Sequence, residues 1–271
     1  MSSPTVCVVG AGVIGLSVAL YLAQEQIKSN PDNPVDIGAS VPQIFILYLQ
    51  IIALLSLLFH EKSDGRFLRI WIAVVIANLF YDETTSFGSA GYWEPYKIEG
   101  TPEDSVYTWG KSTFDHFERL YNDTDHRRAS GIQLLDAYHL HEIEDDFKIP
   151  FWKDIVKDFR VLNAADIENI RSLAPSGAIL PPGKYTSGAT FKSFTVDQSY
   201  YLQDLRNRLD QLGVKFAKRE INSITELCNE GFQVVVNCCG IVGSVVAEDP
   251  ILCYPIRGQV IRVRWAWILN C

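Results

Sequence analysis

The sequence predicts an α/β fold (α+β overall), and two stretches of the chain indicate it. Near the N-terminus, TVCVVGAGVIGLSVALYLA runs from a short apolar strand through a glycine-rich turn into an apolar helix. Late in the chain, FQVVVNCCG has the continuous β-branched character of a strand that is buried on both faces. Segments with helical and with alternating periodicity lie between them and predict a second part of the fold that contains its own sheet.

Composition bounds the class of protein. The chain has 271 residues, of which 48% are hydrophobic and 21% charged, so it can build a substantial core. The formal net charge of −8 argues against nucleic acid as a partner, because binding phosphates requires clustered lysine and arginine. Six cysteines occur without a CxxC spacing, which favours reduced thiols over a disulfide framework. His139 and His141 lack a convergent third ligand, so we predict no metal site.

The N-terminal turn carries the first functional signal. Gly10, Gly12 and Gly15 form a G-x-G-x-x-G pattern between the strand and the helix. In such a turn the first glycine makes the tight bend, the second lets the backbone approach a pyrophosphate, and the third allows close packing of helix on strand. Phosphates would then lie on free N–H groups at the positive end of the helix. The turn therefore predicts a dinucleotide site, with a merely tight βα turn as the alternative.

The second strand begins at residues 35–37 and is then interrupted. No residue from Ile37 to Phe59 is charged, and the run from Ile44 to Phe59, IFILYLQIIALLSLLF, is long enough to be a transmembrane candidate. Acidic residues precede this run, and one acid and one base follow it, so its flanks do not support a membrane span. Strand-like sequence resumes at residues 69–77. We interpret residues 38–74 as an atypical apolar insertion, with membrane contact as the less favoured interpretation.

The middle of the chain predicts helices and strands from periodicity. Residues 101–121 repeat apolar side chains at helical spacing, and residues 164–173 form a shorter amphipathic repeat. Residues 199–212 predict a helix that ends at Gly213, a residue type favoured just after a helix. Strands are predicted at residues 132–135, 187–195, 214–216, 232–237 and 254–264.

A dinucleotide site also needs a group for the adenosine ribose, normally an acid about 20 residues after the turn, at the end of the second strand. Asp36 has about that spacing but lies at the start of the interrupted strand. Asn78 lies at the end of the resumed strand and is neutral. Its amide can bond a hydroxyl without charge assistance. Both residues stay open as candidates.

Four separated motifs, GAGVIGLS, IANLFYDETTSFGSAGYWEPY, VVVNCCG and YPIRGQVIRV, together resemble the D-amino-acid oxidase and D-aspartate oxidase family. The resemblance covers most of residues 4–37 and 74–268. It implies FAD bound in a Rossmann-like domain built from discontinuous segments, and a sheet-based domain that binds substrate. It also implies hydride transfer from a D-amino acid, D-aspartate or a neutral one, to the flavin. Oxygen is then reduced to hydrogen peroxide, and the products are a 2-oxo acid and ammonia.

The resemblance divides the chain into three parts. Residues 1–37, 75–100 and 214–250 would form the FAD-binding domain, and residues 38–74 the insertion. Residues 101–213 and 251–271 would form a cap and a partial substrate domain.

The same resemblance assigns cofactor contacts to positions of this chain. The residues implied at the pyrophosphate turn are Gly10, Gly12, Val13, Ile14 and Gly15. Those implied at the ribose are Ala77 and Asn78, where asparagine replaces the family's usual acid. Those of a hydroxyl-rich loop along the phosphates are Thr84, Thr85 and Ser86. Those near the flavin ring are Gly91, Tyr92 and Trp93, of which Trp93 is otherwise best interpreted as a core residue. Those near the adenine side and after the late strand are Ile221, Cys239 and Gly240.

No catalytic residue is assigned. In the family that the motifs resemble, the arginine and tyrosine residues that bind substrate fall beyond Cys271, and no protein base is needed for hydride transfer. We therefore expect impaired turnover, and the alternative is a non-catalytic nucleotide-binding or membrane-associated fragment of such an oxidase. The resemblance implies a peroxisomal or cytoplasmic location, and LNC at the C-terminus is not the SKL peroxisomal signal.

Overall fold

A computed structural model describes residues 5–28, 71–96, 98, 100–142, 147–173, 184–250, 254–255 and 258–259. The start of the interrupted strand at residues 35–37, the apolar run at residues 44–59 and most of the strand predicted at residues 254–264 lie outside these ranges.

The described residues form a mixed α/β structure. The strands are β1 (Thr5–Ala11), β2 (Trp71–Phe80), β3 (Ile132–Glu142), β4 (Lys157–Leu162), β5 (Tyr185–Val196), β6 (Lys215–Lys218) and β7 (Val234–Asn237). The helices are α1 (Val13–Lys28), α2 (Thr85–Gly88), α3 (Glu103–Asn122), α4 (Thr124–Ser130), α5 (Ala164–Leu173), α6 (Gln198–Gln211), α7 (Ile224–Asn229) and α8 (Gly243–Val246). Two short 3₁₀ turns cover Tyr81–Glu83 and Gly240–Val242.

The first sheet is parallel and has the strand order β6-β2-β1-β7. In its centre Val8 pairs with Val75 on one side and with Val236 on the other. Val6, Cys7 and Val8 are completely buried, as the continuous apolar character of β1 predicts for a strand covered on both faces. The predicted α/β fold class is confirmed.

The strand β2 begins within residues 69–77, where the sequence predicts that strand-like character resumes. Trp71 already pairs with Thr5, and Val74 pairs with both Cys7 and Lys215. The last residues of the segment that we assigned to an apolar insertion, 38–74, are therefore part of the parallel sheet.

Helices α1 and α6 pack against each other beside this sheet. Most side chains of α1 are buried, which explains why its sequence is apolar on every side and not only along one stripe. Helix α6 ends as predicted. Gly213 has a φ of +74°, and the N–H of Val214 donates to the carbonyl of Leu209 over 3.0 Å, as in a glycine-terminated helix.

The second sheet is antiparallel, with the order β3-β5-β4. The strand predicted at residues 132–135 continues to Glu142, because β5 offers it a partner along its whole length. Helix α3 lies against this sheet and contributes Phe114 to an aromatic cluster with Phe194 at a ring distance of 4.8 Å. None of the helices in the described ranges combines the length and apolar character needed to cross a bilayer.

Candidate nucleotide-binding cavity

A cavity of about 390 Å³ lies where the strands of the parallel sheet end. Its walls are the last residues of β1 and β2 and the segments that follow β1, β2, β6 and β7, which is where open α/β sheets bind their ligands. The sequence-predicted residues that line it are Gly10, Gly12, Ile14, Ala77, Asn78, Thr84, Thr85, Ser86, Ile221, Cys239 and Gly240. The lining residues that sequence reasoning missed are Val9, Ala11, Leu79, Arg219, Glu220, Asn222, Cys238, Val242, Val245 and Val246.

Two glycines of the turn are required by backbone packing. Gly10 has a φ of +110°, and a Cβ there would lie 2.2 Å from the carbonyl oxygen of Cys238. A Cβ on Gly15 would lie 1.9 Å from the carbonyl oxygen of Gly10. Both contacts are far inside van der Waals distance and involve backbone that cannot move aside. The turn of β1 is therefore pressed against the end of β7 on one side and the first turn of α1 on the other.

The N-terminus of α1 presents donors to the cavity. The N–H of Val13 donates to Oγ of Ser86 over 2.9 Å, and the N–H of Leu16 donates to the carbonyl of Gly12 over 3.0 Å. No oxygen within the described ranges accepts from the N–H groups of Gly12 and Ile14. Free N–H groups at the positive end of a helix of this length bind anionic oxygens, so this end of the cavity fits a pyrophosphate.

In the hydroxyl-rich loop at residues 84–86, Thr84 stabilises the loop itself and Ser86 faces the glycine turn. Thr84 Oγ1 donates to the carbonyl of Tyr81 over 2.6 Å and accepts from the N–H of Phe87, so this hydroxyl holds the loop itself. Ser86 lies on the other side, and a Cβ on Gly12 would lie 2.9 Å from its Oγ. Since Ser86 Oγ accepts from Val13, its own O–H is left to donate to a ligand in the cavity.

The ends of β2 and β6 form the opposite wall. Ala77 is buried, whereas Asn78 is exposed where it lines the cavity. The N–H of Arg219 donates to the carbonyl of Ala77 over 2.9 Å and extends the pairing of the two strands by one residue. Ile221 is buried next to β1 in a cluster with Val9 and Ile76.

The end of β7 is fixed by an asparagine that sequence reasoning missed. Asn237 Nδ2 donates to the carbonyl of Gly243 over 2.8 Å, and its Oδ1 accepts from the N–H of Cys239 over 3.2 Å. These two bonds hold the loop that carries Cys239 and Gly240. An asparagine directly after three valines, at the end of a buried strand, was the available signal.

Burial disfavours the thiolate form of Cys7, in the centre of β1, and of Cys239, which lines the cavity. Burial raises the pKa of Cys7 to about 12, and burial also raises the pKa of Cys239. Because the thiolate is the reactive form of cysteine, neither residue is prepared to act as a nucleophile. Within the described residues, no three histidine, cysteine, aspartate or glutamate side chains are grouped so that they could hold a metal ion.

Gly91, Tyr92 and Trp93 lie outside this cavity. Tyr92 forms a bridge to Thr195, and the N–H of Trp93 donates to the carbonyl of Phe194 over 2.9 Å. The segment therefore runs along β5 in the second sheet. Gly91 has a φ of +73°, and a Cβ there would lie 2.0 Å from the carbonyl oxygen of Val196.

Of these three residues, Trp93 is a core residue. Its ring packs against Phe114 and Trp152 at ring distances of 5.0 and 6.2 Å. Its carbonyl accepts from the buried hydroxyl of Ser193 over 2.8 Å. Val13 and Gly15 also do not line the cavity, and both act through their backbone at the turn, as described above.

Comparison with known proteins gives a consistent family. A family model described as FAD dependent oxidoreductase matches residues 68–269. The chain is 25% identical over 268 residues to a D-aspartate oxidase of Homo sapiens, covering 99% of this chain and 62% of that protein. It is 28% identical to D-aspartate oxidase 1 of Caenorhabditis elegans, covering 98% of this chain and 62% of that protein. A D-amino-acid oxidase of Rubrobacter xylanophilus is 34% identical over 191 residues, which are 70% of this chain and 51% of that protein.

Among solved structures, an L-α-glycerophosphate oxidase from Mycoplasma pneumoniae with FAD bound matches 82% of this chain and 47% of its own, with a TM-score of 0.46 and 14% identity. The chain spans about 62% of the length of the first two curated relatives named above.

Proposed function

Since the chain belongs to the family of FAD-dependent oxidoreductases, we propose that it holds FAD for the oxidative deamination of D-amino acids. The family match confirms the resemblance to D-amino-acid oxidases and D-aspartate oxidases that the sequence motifs indicate. The proposed substrates are D-aspartate or neutral D-amino acids, and the proposed products are 2-oxo acids, ammonia and hydrogen peroxide. The names of the relatives, D-aspartate oxidase and D-amino-acid oxidase, support this substrate class.

The observation that carries the proposal is the cavity at the carboxyl ends of the parallel strands. It combines a glycine turn, free helix N-terminal N–H groups and an opposite wall at the ends of β2 and β6. We assign the pyrophosphate to the N–H groups of Gly12 and Ile14 together with the hydroxyl of Ser86. We assign the adenosine to the wall made by Asn78 and Ile221.

The residues of the cavity suit binding better than reaction. When bound, FAD would supply the chemistry by accepting a hydride from the α-carbon of the substrate and passing the electrons to oxygen. The chain would then have to hold and orient the cofactor, for which backbone N–H groups and neutral side chains are sufficient. The raised pKa values of Cys7 and Cys239 agree with a binding role, because a protonated thiol is a poor nucleophile.

The carboxylate of a D-amino acid needs a cation, preferably a free arginine. Arg219 is the only lysine or arginine among the described residues that line the cavity. Its guanidinium already donates to both carboxylate oxygens of Glu230, over 2.8 and 3.0 Å. We therefore propose that the cavity holds the nucleotide and that the carboxylate of the substrate binds outside it.

The proposal is tested by expressing the full chain, adding FAD and measuring quenching of flavin fluorescence. Peroxide release is then measured with D-aspartate and D-alanine, with the two L-amino acids as controls. Flavin binding together with weak peroxide release, from the D-isomers alone, is the expected result. Flavin binding without peroxide from any isomer would favour the alternative of a non-catalytic nucleotide-binding fragment. Absence of flavin binding would overturn both.

A membrane-associated role was the other alternative, based on residues 44–59, which lie outside the described residues. A peroxisomal or cytoplasmic location stays a prediction from the resemblance.

A further inference from the structure

We propose that the carboxylate of Glu220 binds the ribose hydroxyls of the adenine half of the dinucleotide. It would take the place of the acid that the family usually has at the position of Asn78. The inference rests on the proposed function, since it names the residue that recognises one part of the same ligand. It differs from the assignment made by the sequence motifs, which puts the ribose on Ala77 and Asn78.

The pairing of two strands brings Glu220 to the required place. In the parallel pairing of β2 with β6, Ala77 lies opposite Lys218, and the N–H of Arg219 donates to the carbonyl of Ala77 over 2.9 Å. Asn78, within the last residues of β2, and Glu220, two residues after β6, therefore lie at the same edge of the sheet. Both line the cavity.

Glu220 is the one carboxylate that lines the cavity in the described part of the chain. No residue in that part donates a hydrogen bond to it or forms an ion pair with it. Its exposed position in the loop after β6 leaves both oxygens available to a ligand.

Three other acids near this edge of the sheet already have partners. Glu83 accepts from Lys218 over 2.9 Å, and Glu230 accepts from Arg219. Glu226 accepts from the N–H groups that begin the turn before α7. None of these three lines the cavity. Glu220 can therefore accept hydrogen bonds from a ligand without breaking an existing ion pair.

The chemistry of a ribose fits a carboxylate better than an amide. The two neighbouring hydroxyls can both donate, and a carboxylate offers two acceptor oxygens with charge assistance. The amide of Asn78 offers one neutral acceptor oxygen. A carboxylate in this position would also repel a 2′-phosphate, so we expect selectivity for nucleotides whose ribose hydroxyls are free.

The test compares adenosine diphosphate with 2′,3′-dideoxyadenosine diphosphate by isothermal titration calorimetry on the full chain. We expect the unmodified chain to bind the dideoxy compound about tenfold more weakly, because two charge-assisted bonds are lost. In Glu220→Gln, the affinity for adenosine diphosphate should fall about tenfold, while the discrimination between the two compounds shrinks to about threefold or less.

Two further variants separate this role from a general effect of charge. Glu248→Gln removes the same charge nearby, and Glu248 does not line the cavity but accepts from Ser223 over 3.0 Å. It should leave both affinities and the discrimination unchanged. Adding Asn78→Asp to Glu220→Gln returns an acid to the end of β2 and should restore the discrimination.

Unchanged discrimination in Glu220→Gln, or an equal loss in Glu248→Gln, would overturn the inference, as would failure of the unmodified chain to bind adenosine diphosphate. Titration with FAD in parallel separates the two proposals. Glu220-dependent discrimination without FAD binding would overturn the proposed function and support the inference. FAD binding that is equal in the unmodified chain and in Glu220→Gln would overturn the inference alone.

Discussion

The parallel sheet and the antiparallel sheet are packed with different types of side chain. The centre of the parallel sheet consists of valine side chains and ends in glycines whose backbone is in direct contact with other backbone. The antiparallel sheet is covered by rings, with Phe194 in contact with Phe114, Phe117 and Tyr121. At the end of the parallel sheet, small residues leave a cavity and N–H groups without a partner among the described residues. On the antiparallel sheet, aromatic rings fill the corresponding space.

This difference explains where the candidate site lies. At the end of the parallel sheet, close backbone contacts leave a cavity lined by main-chain N–H groups and by the hydroxyl of Ser86. In the second sheet, Trp93 belongs to a segment that was expected near the flavin, and its ring is buried between Phe114 and Trp152. We infer that the nucleotide binds at the end of the parallel sheet, and that the antiparallel sheet contributes to stability without contacting it. The following variants test that inference.

The largest effect on stability is expected from Phe194→Ala. Phe194 is completely buried, and removing its ring leaves a cavity among three other rings, so the free energy of unfolding should fall by about 3–5 kcal/mol. Urea denaturation measures this loss. Below the transition, the affinity for adenosine diphosphate should be unchanged. Tyr138→Ala, which removes a half-exposed ring from the same sheet, is the control and should cost less than about 1 kcal/mol. A weaker nucleotide affinity in folded Phe194→Ala would show that the two parts are coupled.

The second largest effect is expected from Gly10→Ala, and here both stability and binding should suffer. The new Cβ meets the carbonyl of Cys238, and the φ of +110° is unfavourable for alanine. We expect a loss of more than about 2 kcal/mol in unfolding free energy, together with loss of nucleotide binding.

Gly213→Ala is the matched control, since Gly213 has a φ of +74° but no atom within 4 Å of its Cβ position. It should cost about 1 kcal/mol and keep full binding. Equal effects of the two substitutions would show that the contact with Cys238 is unimportant.

The same contrast explains how much the sequence could predict. Gly10, Gly12 and Gly15 were predicted because the demand on each glycine is local and repeats in any such turn. The helices at residues 103–122 and 198–211 were predicted, at residues 101–121 and 199–212, because their periodicity is local too. Asn237 and Glu220 were missed because their importance depends on loops that only strand pairing brings together. The position of Gly91 depends on pairing with β5, about 100 residues later in the chain, which no local pattern encodes.

A smaller effect is expected from pH, and it should arise in the aromatic part of the molecule. Burial, assisted by the nearby charge of Arg208, holds the pKa of His116 well below its usual value, and its Nδ1 has no hydrogen-bond partner among the described residues. Between that lowered pKa and about 6.5, the unfolded chain binds the proton more readily than the folded one. Stability should therefore fall as the pH falls below about 6.5, by about 1.4 kcal/mol per pH unit.

Denaturation at a series of pH values, with His116→Phe as the variant, checks this slope, which the substitution should abolish. Asp204 acts in the opposite direction, because burial raises its pKa and the folded state then holds its proton above pH ~4. Asp204→Asn should therefore steepen the fall. His141→Gln, on β3, is the control and should leave the slope as it is. A slope that persists in His116→Phe would assign the effect to another group.

The smallest effect is expected from Ser86→Ala, which returns to the nucleotide cavity. Ser86 Oγ accepts from the N–H of Val13 over 2.9 Å, so its loss should cost about 1 kcal/mol of unfolding free energy. The affinity for FAD should fall by less than about tenfold, because the freed N–H of Val13 becomes one more donor for the phosphates and replaces part of the hydroxyl's contribution.

Ser89→Ala is the matched control, since Ser89 donates to the carbonyl of Ser86 over 2.8 Å but does not line the cavity. It should change stability alone. A loss of FAD affinity of a hundredfold in Ser86→Ala would mean that side-chain hydroxyls, and not backbone N–H groups, hold the pyrophosphate.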